Sequence, residues 1–245
     1  MQVKRDALFS DASRTVGDFN FGEKTAEVFD DMLDRSIPMY RELQRMIGEI
    51  ARDFAVEGTN VYDLGCSTGI TLETLHLAVG PGTTLVGLDY SAAMLDRARQ
   101  RFDPLIASGR MRLDHVDLNR GCVIENASVV VLNLTLQFIR PLYRDSLMRQ
   151  IASGLNENGV IILVEKVLAA DSTINRLFIK FYYDMKRRNG YDEMEISQKR
   201  EALENVLIPY RVDENVELLK RSGFSEVETF FRWYNFCGFV ALKRA

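Results

Sequence analysis

The chain has 245 residues, 47% of them hydrophobic, and a formal net charge of −4. That length suits one α/β domain with additions, and the acidic balance argues against a nucleic-acid binder, which normally shows a basic face. Cys66, Cys122 and Cys237 are scattered, and His76 and His115 stand alone, so no metal-ligand spacing is present and no metal is expected. No run is apolar enough to span a bilayer and no secretory apolar region opens the chain, which therefore reads as cytoplasmic. The absence of repeats and of Ser/Gly/Pro-rich linkers predicts a single domain over 1–245.

Residues 1 to about 35 carry mixed charge around Phe9, Phe19, Phe21 and Phe29, a segment expected to pack onto the domain. Ser36 and Pro38 are expected to open a helix with Tyr40, Leu43, Ile47, Ile50 and Phe54 at helical spacing, ending at Glu57-Gly58. Residues 1–57 thus form an amino-terminal helical cap. Strands and helices then alternate: strand 60–64, helix 69–79, strand 84–88, helix 91–102, strand 111–116, strand 128–133, helix 141–155 and strand 160–164. Ser91 is placed to cap its helix, and Tyr143, Leu147, Ile151 and Leu155 to form the inner stripe of theirs. Asn156-Glu157-Asn158-Gly159 reads as a turn. This alternation predicts a doubly wound, mostly parallel sheet with ligands at the carboxyl ends of its strands.

Residues 171–208 interrupt the alternation with helix and are the expected lid. Ile174, Leu177, Phe178, Phe181 and Met185 form one stripe, and a second helix carries Ile196, Leu203 and Val206-Leu207. The basic residues Lys180, Lys186, Arg187 and Arg188 read as a solvated helix face. A helix at 213–222 and two strand-like runs, Val227–Tyr234 and Phe236–Leu242, predict an antiparallel edge.

Chemistry concentrates at two acid-ended strands. Val61-Tyr62-Asp63-Leu64-Gly65-Cys66-Ser67-Thr68-Gly69 is a buried strand entering a glycine turn before a helix. The glycines admit backbone angles that a Cβ forbids, and free helix N–H groups are expected to face a nucleotide-like or anionic ligand. Leu85-Val86-Gly87-Leu88-Asp89 ends in a carboxylate at the distance of a ribose-binding acid. The frame Asp-x-Gly-x-Ser-x-Gly resembles motif I of the class I S-adenosyl-L-methionine (SAM)-dependent methyltransferases, with a seven-stranded Rossmann-like sheet. On that resemblance Asp89 holds the ribose, Asp117 and Leu118 the adenine, and Asn133 lies near the sulfonium. No Asn-Pro-Pro-Tyr sequence, nucleophilic cysteine or acid/base pair appears, and methyl transfer needs mostly positioning.

A narrower resemblance rests on Asp6-Ala7-Leu8-Phe9-Ser10, on Glu125-Asn126-Ala127-Ser128 through Leu132-Asn133-Leu134-Thr135-Leu136-Gln137-Phe138, and on Glu195-Ile196-Ser197-Gln198-Lys199-Arg200 with Leu203-Glu204-Asn205-Val206. These stretches resemble the bacterial carboxy-SAM synthases over nearly the whole length. The resemblance implies that SAM and prephenate give carboxy-SAM and phenylpyruvate, for modification of the tRNA wobble uridine. It implies that Tyr40, Gly65, Cys66, Ser67, Asp89, Tyr90, Asp117, Leu118 and Asn133 hold the SAM-type ligand, and that Arg200 grips the new carboxylate. Tyr90 replaces the family's Asn, so only a backbone contact carries over there. A homodimer is implied, with no direct contact to nucleic acid or membrane. A generic SAM-dependent methyltransferase acting on a small molecule or tRNA, and a non-catalytic SAM-binding module, are the alternative readings.

Overall fold

The computed structural model describes residues 4–11 and 16–244. The parts of the amino-terminal and whole-chain expectations on residues 1–3, 12–15 and 245 lie outside them. Two helices come first, α1 (Glu23–Ser36) and α2 (Tyr40–Phe54), and then the alternation forms. β1 (Asn60–Leu64), α3 (Ile70–Ala78), β2 (Thr84–Asp89), α4 (Ala92–Ala107) and β3 (Met111–His115) lead to β4 (Ala127–Asn133), α5 (Pro141–Gly154) and β5 (Leu155–Leu168). Beyond the sheet centre lie α6 (Ser172–Arg188), α7 (Glu193–Leu203), β6 (Tyr210–Arg211), α8 (Val212–Arg221), β7 (Glu226–Trp233) and β8 (Phe236–Leu242).

The strand order is β3-β2-β1-β4-β5-β8-β7, with β6 beside β5 off this path. The five strands from β3 to β5 pair in parallel, and β8 runs antiparallel to both β5 and β7. This is the expected doubly wound seven-stranded sheet with an antiparallel edge, plus one short strand. Its centre is covered on both faces, and β4 is buried from Ala127 to Leu132. One face packs on α5 and α8 through Leu147, Met148, Ile151, Leu218 and Leu219. The other packs on α2, α3, α4 and α6 through Leu43, Ile47, Leu72, Leu75, Leu95 and Tyr182. Strand order reverses between β1 and β4, so the crevice outside their carboxyl ends is open to a ligand.

Several boundaries differ from the expectation for local reasons. α1 ends at Ser36, and Met39 at φ 51° turns the chain, so the helix expected from Ser36 and Pro38 starts at Tyr40. α4 does not stop at Phe102. The ring of Pro104 forces Phe102 out of helical geometry, and the chain then completes one more turn. Residues 156–159 are a bulge within β5 rather than a turn, since the partner of Ala127 is Leu155 and that of Val129 is Val160. Tyr143 faces solvent, Leu155 belongs to β5, and Arg144 takes the inner place on α5. On α6, Ile174 and Leu177 are exposed while Met185 is buried, so the predicted stripe packs only at its carboxyl end, and Lys186, expected on a solvated face, is buried with Tyr182.

Arg144 is the largest fully buried side chain. Its Nε donates to Ile139 O at 2.9 Å and its Nη2 to Ile208 O at 2.6 Å, with the guanidinium 4.1 Å from the Tyr210 ring centroid. It thereby ties the loop after β4 to the segment leading into β6. Arg144→Met leaves those carbonyls buried and unpaired, at about 1–3 kcal/mol each. Urea unfolding is expected to show a loss of about 3 kcal/mol or more. Unchanged stability would mean that another donor reaches both carbonyls.

Candidate active site

The glycine turn is built against the end of β2. Gly65 at φ +79° and Gly69 at φ +89° lie in the left-handed region, and a Cβ would collide with Thr135 at the first and with the Phe102 ring at the second. Gly65 N and Cys66 N both donate to Leu88 O, at 2.7 and 3.0 Å. Ser67 N donates to Asp89 Oδ2 at 2.9 Å, and Gly69 N to Cys66 O at 2.8 Å. These four turn amides are therefore all engaged within the fold. They stitch the turn to β2, and the turn offers close approach rather than an anion cradle.

Two carboxylates stand behind it. Asp89 is buried, and its Oδ1 accepts from Ser91 N at 2.8 Å. Each oxygen keeps acceptor capacity for a ligand hydroxyl. Burial raises its pKa, and the amides of Ser91 and Ser67 oppose the rise. Asp63 Oδ2 is buried with no donor. Burial, and secondarily the charge of Asp89, push the Asp63 pKa up to about 8. At the end of β4, Asn133 Nδ2 donates to Thr71 Oγ1 at 3.1 Å, as Gln44 Nε2 does from α2 at 3.1 Å. Asn133 Oδ1 and Gln44 Oε1 are left buried without a donor. Such a set of unsatisfied oxygens suits a cationic or donor-bearing ligand.

One cavity gathers nearly all the residues singled out from the sequence. The turn contributes Gly65, Cys66 and Ser67, the end of β2 contributes Asp89 and Tyr90, and Asp117 and Leu118 follow β3. Asn133 closes β4 and Tyr40 opens α2 on the far side. Asp117 also caps the short helix at Leu118–Arg120 through Asn119 N at 3.0 Å. Tyr90 is half exposed at the rim, and its carbonyl meets His115 Nε2 at 2.6 Å. Cys66 is buried with its pKa raised, first by burial, so it is no ready thiolate. Arg200 is not brought in: it is exposed on the outer side of α7, and its neighbour Lys199 lines the cavity instead.

The roof comes from segments that sequence reasoning placed only loosely. Phe19 and Phe21 lie over the mouth, fixed by Phe19 N to Ala202 O at 2.8 Å and Ser91 Oγ to Phe21 O at 2.6 Å. α7 adds Lys199 and Leu203, and β5 adds Lys166. Helical spacing in α7 makes Lys199 legible, because Glu195, Ile196, Lys199 and Ala202 share one buried face that excludes Arg200. Among the described residues no cluster of His, Cys, Asp or Glu is able to hold a metal ion, and no helix is long and apolar enough to cross a membrane.

Comparison with known proteins fits this geometry. The family model for a methyltransferase domain matches residues 62–161. The chain is 55% identical to the carboxy-S-adenosyl-L-methionine synthase of Methylococcus capsulatus, over 98% of this chain and 100% of that one. It is 42% identical to the synthase of Desulfotalea psychrophila, over 99% of each chain. Solved structures show the same fold at low identity. An O-methyltransferase family protein from Burkholderia thailandensis has TM-score 0.65 at 16% identity, over 95% of this chain and 66% of that one. Human N-acetylserotonin methyltransferase has TM-score 0.57 at 14% identity, over 91% of this chain and 56% of that one. The chain therefore belongs to the carboxy-S-adenosyl-L-methionine synthases, enzymes carried on a methyltransferase fold.

Proposed function

We propose that this enzyme converts SAM and prephenate to carboxy-SAM, phenylpyruvate and water, the hydroxide lost from prephenate and the proton lost from the SAM methyl group forming the water, and so supplies carboxymethyl groups for the tRNA wobble uridine. The observation that carries the reading is 55% identity to a named synthase along the whole chain. The cavity supports it. Bound SAM supplies the methyl carbon that receives the carboxyl group. Asp89 would accept from the ribose hydroxyls, Asp117 from the adenine amino group with Leu118 over the ring, and the unsatisfied acceptor on Asn133 would favour the positive end of the ligand, with Asp63 buried behind the turn. Tyr40, Gly65, Cys66, Ser67 and the Tyr90 backbone would complete the envelope. The aromatic roof would keep water from the reacting carbon.

Arg200 takes a place in this reading through a second copy. It is exposed and outside the cavity of its own chain, whereas a guanidinium pairs with a carboxylate in a bidentate geometry. A homodimer that sets the outer side of α7 against the partner's cavity would bring the two together. The exposed Ile174 and Leu177 of α6 offer apolar surface for such a contact. A net charge of −4 supports an enzyme that hands its product to a separate tRNA-modifying enzyme rather than binding tRNA itself, and three free cysteines support a reducing, cytoplasmic setting. Mass spectrometry of SAM and prephenate incubated with the enzyme tests the reaction. Carboxy-SAM and phenylpyruvate are expected, and methyl transfer to an acceptor without them would replace the reading with a generic methyltransferase.

Three further outcomes are expected. Asp89→Ala should weaken SAM binding at least about tenfold, the worth of one charge-assisted hydrogen bond. Unchanged affinity by calorimetry would remove Asp89 from the site. Arg200→Ala should weaken carboxy-SAM binding selectively and leave SAM nearly untouched, with Arg200→Lys rescuing part of the loss. Equal losses for both ligands would assign Arg200 to the fold or to their common part. Asp63 gives a pH dependence. Its pKa of about 8 in the free protein keeps it protonated at neutral pH, and a cationic ligand favours the ionised form. SAM affinity should therefore rise with pH by up to about tenfold per unit and level off above that pKa. Asp63→Asn should flatten the profile, and an equally sloped profile in that variant would assign the proton to another group.

A further inference from the structure

The carboxyl end of β5 sends two adjacent charges to opposite faces of the sheet. Glu165 is buried and accepts from Leu136 N at 3.0 Å, while Lys166 lines the cavity beside Tyr182 and Phe236. The Lys166 main-chain N–H is fixed to Gln137 Oε1 at 3.0 Å. Its ammonium lies 4.9 Å from the Tyr182 ring centroid, and among the described residues no hydrogen-bond acceptor or carboxylate reaches it. Two more lysine side chains lie behind. Lys186 is 5.6 Å from the Tyr182 ring and 5.2 Å from the Tyr191 ring, and Lys199 is 5.5 Å from the Tyr191 ring.

This wall carries more cation than anion. The one carboxylate within ion-pair distance of the three lysines is Asp6, 3.7 Å from Lys199, again among the described residues. Asp6 already accepts from Tyr191 Oη at 2.5 Å and from Leu8 N at 3.2 Å. Glu195 is engaged in the cap of α7. Burial lowers Lys166 and Lys199 to about 8, so both stay charged at neutral pH, and burial together with Lys199 and Lys166 drives Lys186 down to about 6. An uncompensated buried charge is costly unless a partner arrives. SAM, which brings a sulfonium, adds to the positive charge. The proposed ribose acid Asp89 ends β2, whereas Lys166 lies near the end of β5, on the other side of β1 and β4.

We propose that Lys166 is the carboxylate anchor for an anionic, ring-bearing co-substrate that lies against Tyr182 and Phe236 beside the SAM-type ligand. The identity of that acid as prephenate rests on the proposed reaction; the anchor itself rests on the cation wall. The test titrates prephenate, and separately phenylpyruvate, into enzyme saturated with S-adenosylhomocysteine, for the parent, Lys166→Met and Lys166→Arg. Lys166→Met should weaken both acids at least about tenfold. Its affinity for S-adenosylhomocysteine should stay unchanged and its melting temperature should not fall. Lys166→Arg should keep most of the acid binding. Equal acid affinity in Lys166→Met, equal loss for S-adenosylhomocysteine, or no binding of either acid to the parent complex would each overturn the anchor. Carboxy-SAM formation by the parent is measured in parallel. Acids held through Lys166 without carboxy-SAM would sink the reaction and keep the site, whereas carboxy-SAM formed equally well by Lys166→Met would sink the site and keep the reaction.

Discussion

The last two residues of β2 hold the site together. Leu88 O takes two amides of the glycine turn, and Asp89 takes a third while its other oxygen fixes Ser91. Because these bonds bury Asp89 next to Asp63, one acid is ionised only against burial and the other keeps its proton until about pH 8. The geometry of the turn follows from the same constraint. Gly65 is pressed against Thr135 and Gly69 against Phe102, so neither position has room for a side chain. A loop so tied presents its backbone surface to a ligand while its amides serve the fold.

The roof depends on a further buried acid, Asp6. Its main-chain N–H donates to Asp31 Oδ2 at 2.7 Å, its carbonyl accepts from Arg35 Nη1 at 3.0 Å, and its carboxylate meets Tyr191 and Lys199. The amino-terminal segment, α1 and α7 are thus joined at one residue, and the cavity they cover has a cationic wall on the side of α7 and an acidic one on the side of β2. With Lys166 and Lys199 on one side and Asp89 on the other, the two ends of the cavity differ in charge.

Two of the places where sequence reasoning erred share a cause. Tyr143 and Arg144 both satisfy a helical period, and only the carbonyls of Ile139 and Ile208 make the arginine the inner residue. Asn156 to Gly159 has turn composition, yet the pairing of Leu155 with Ala127 draws it into a bulged strand. The helix expected to end at 102 runs on through Pro104 to Ala107, with its distortion at Phe102. In the first two cases a partner distant in the chain decided the outcome.

The sequence by itself determined the strand–helix alternation, the two acid-ended strands, the glycine turn and the family, because these rest on periodicity and on residues whose backbone freedom or charge is local. Helical spacing groups Lys199 with Ile196 and Ala202 and separates Arg200 from them, but tertiary structure alone decided that this face meets the cavity. It also decided that three lysines from β5, α6 and α7 would share one wall, since residues far apart in the chain are brought together only by packing around Tyr182 and Tyr191. The buried partners of a charge are set by the fold's long-range contacts, and no spacing along the chain records them.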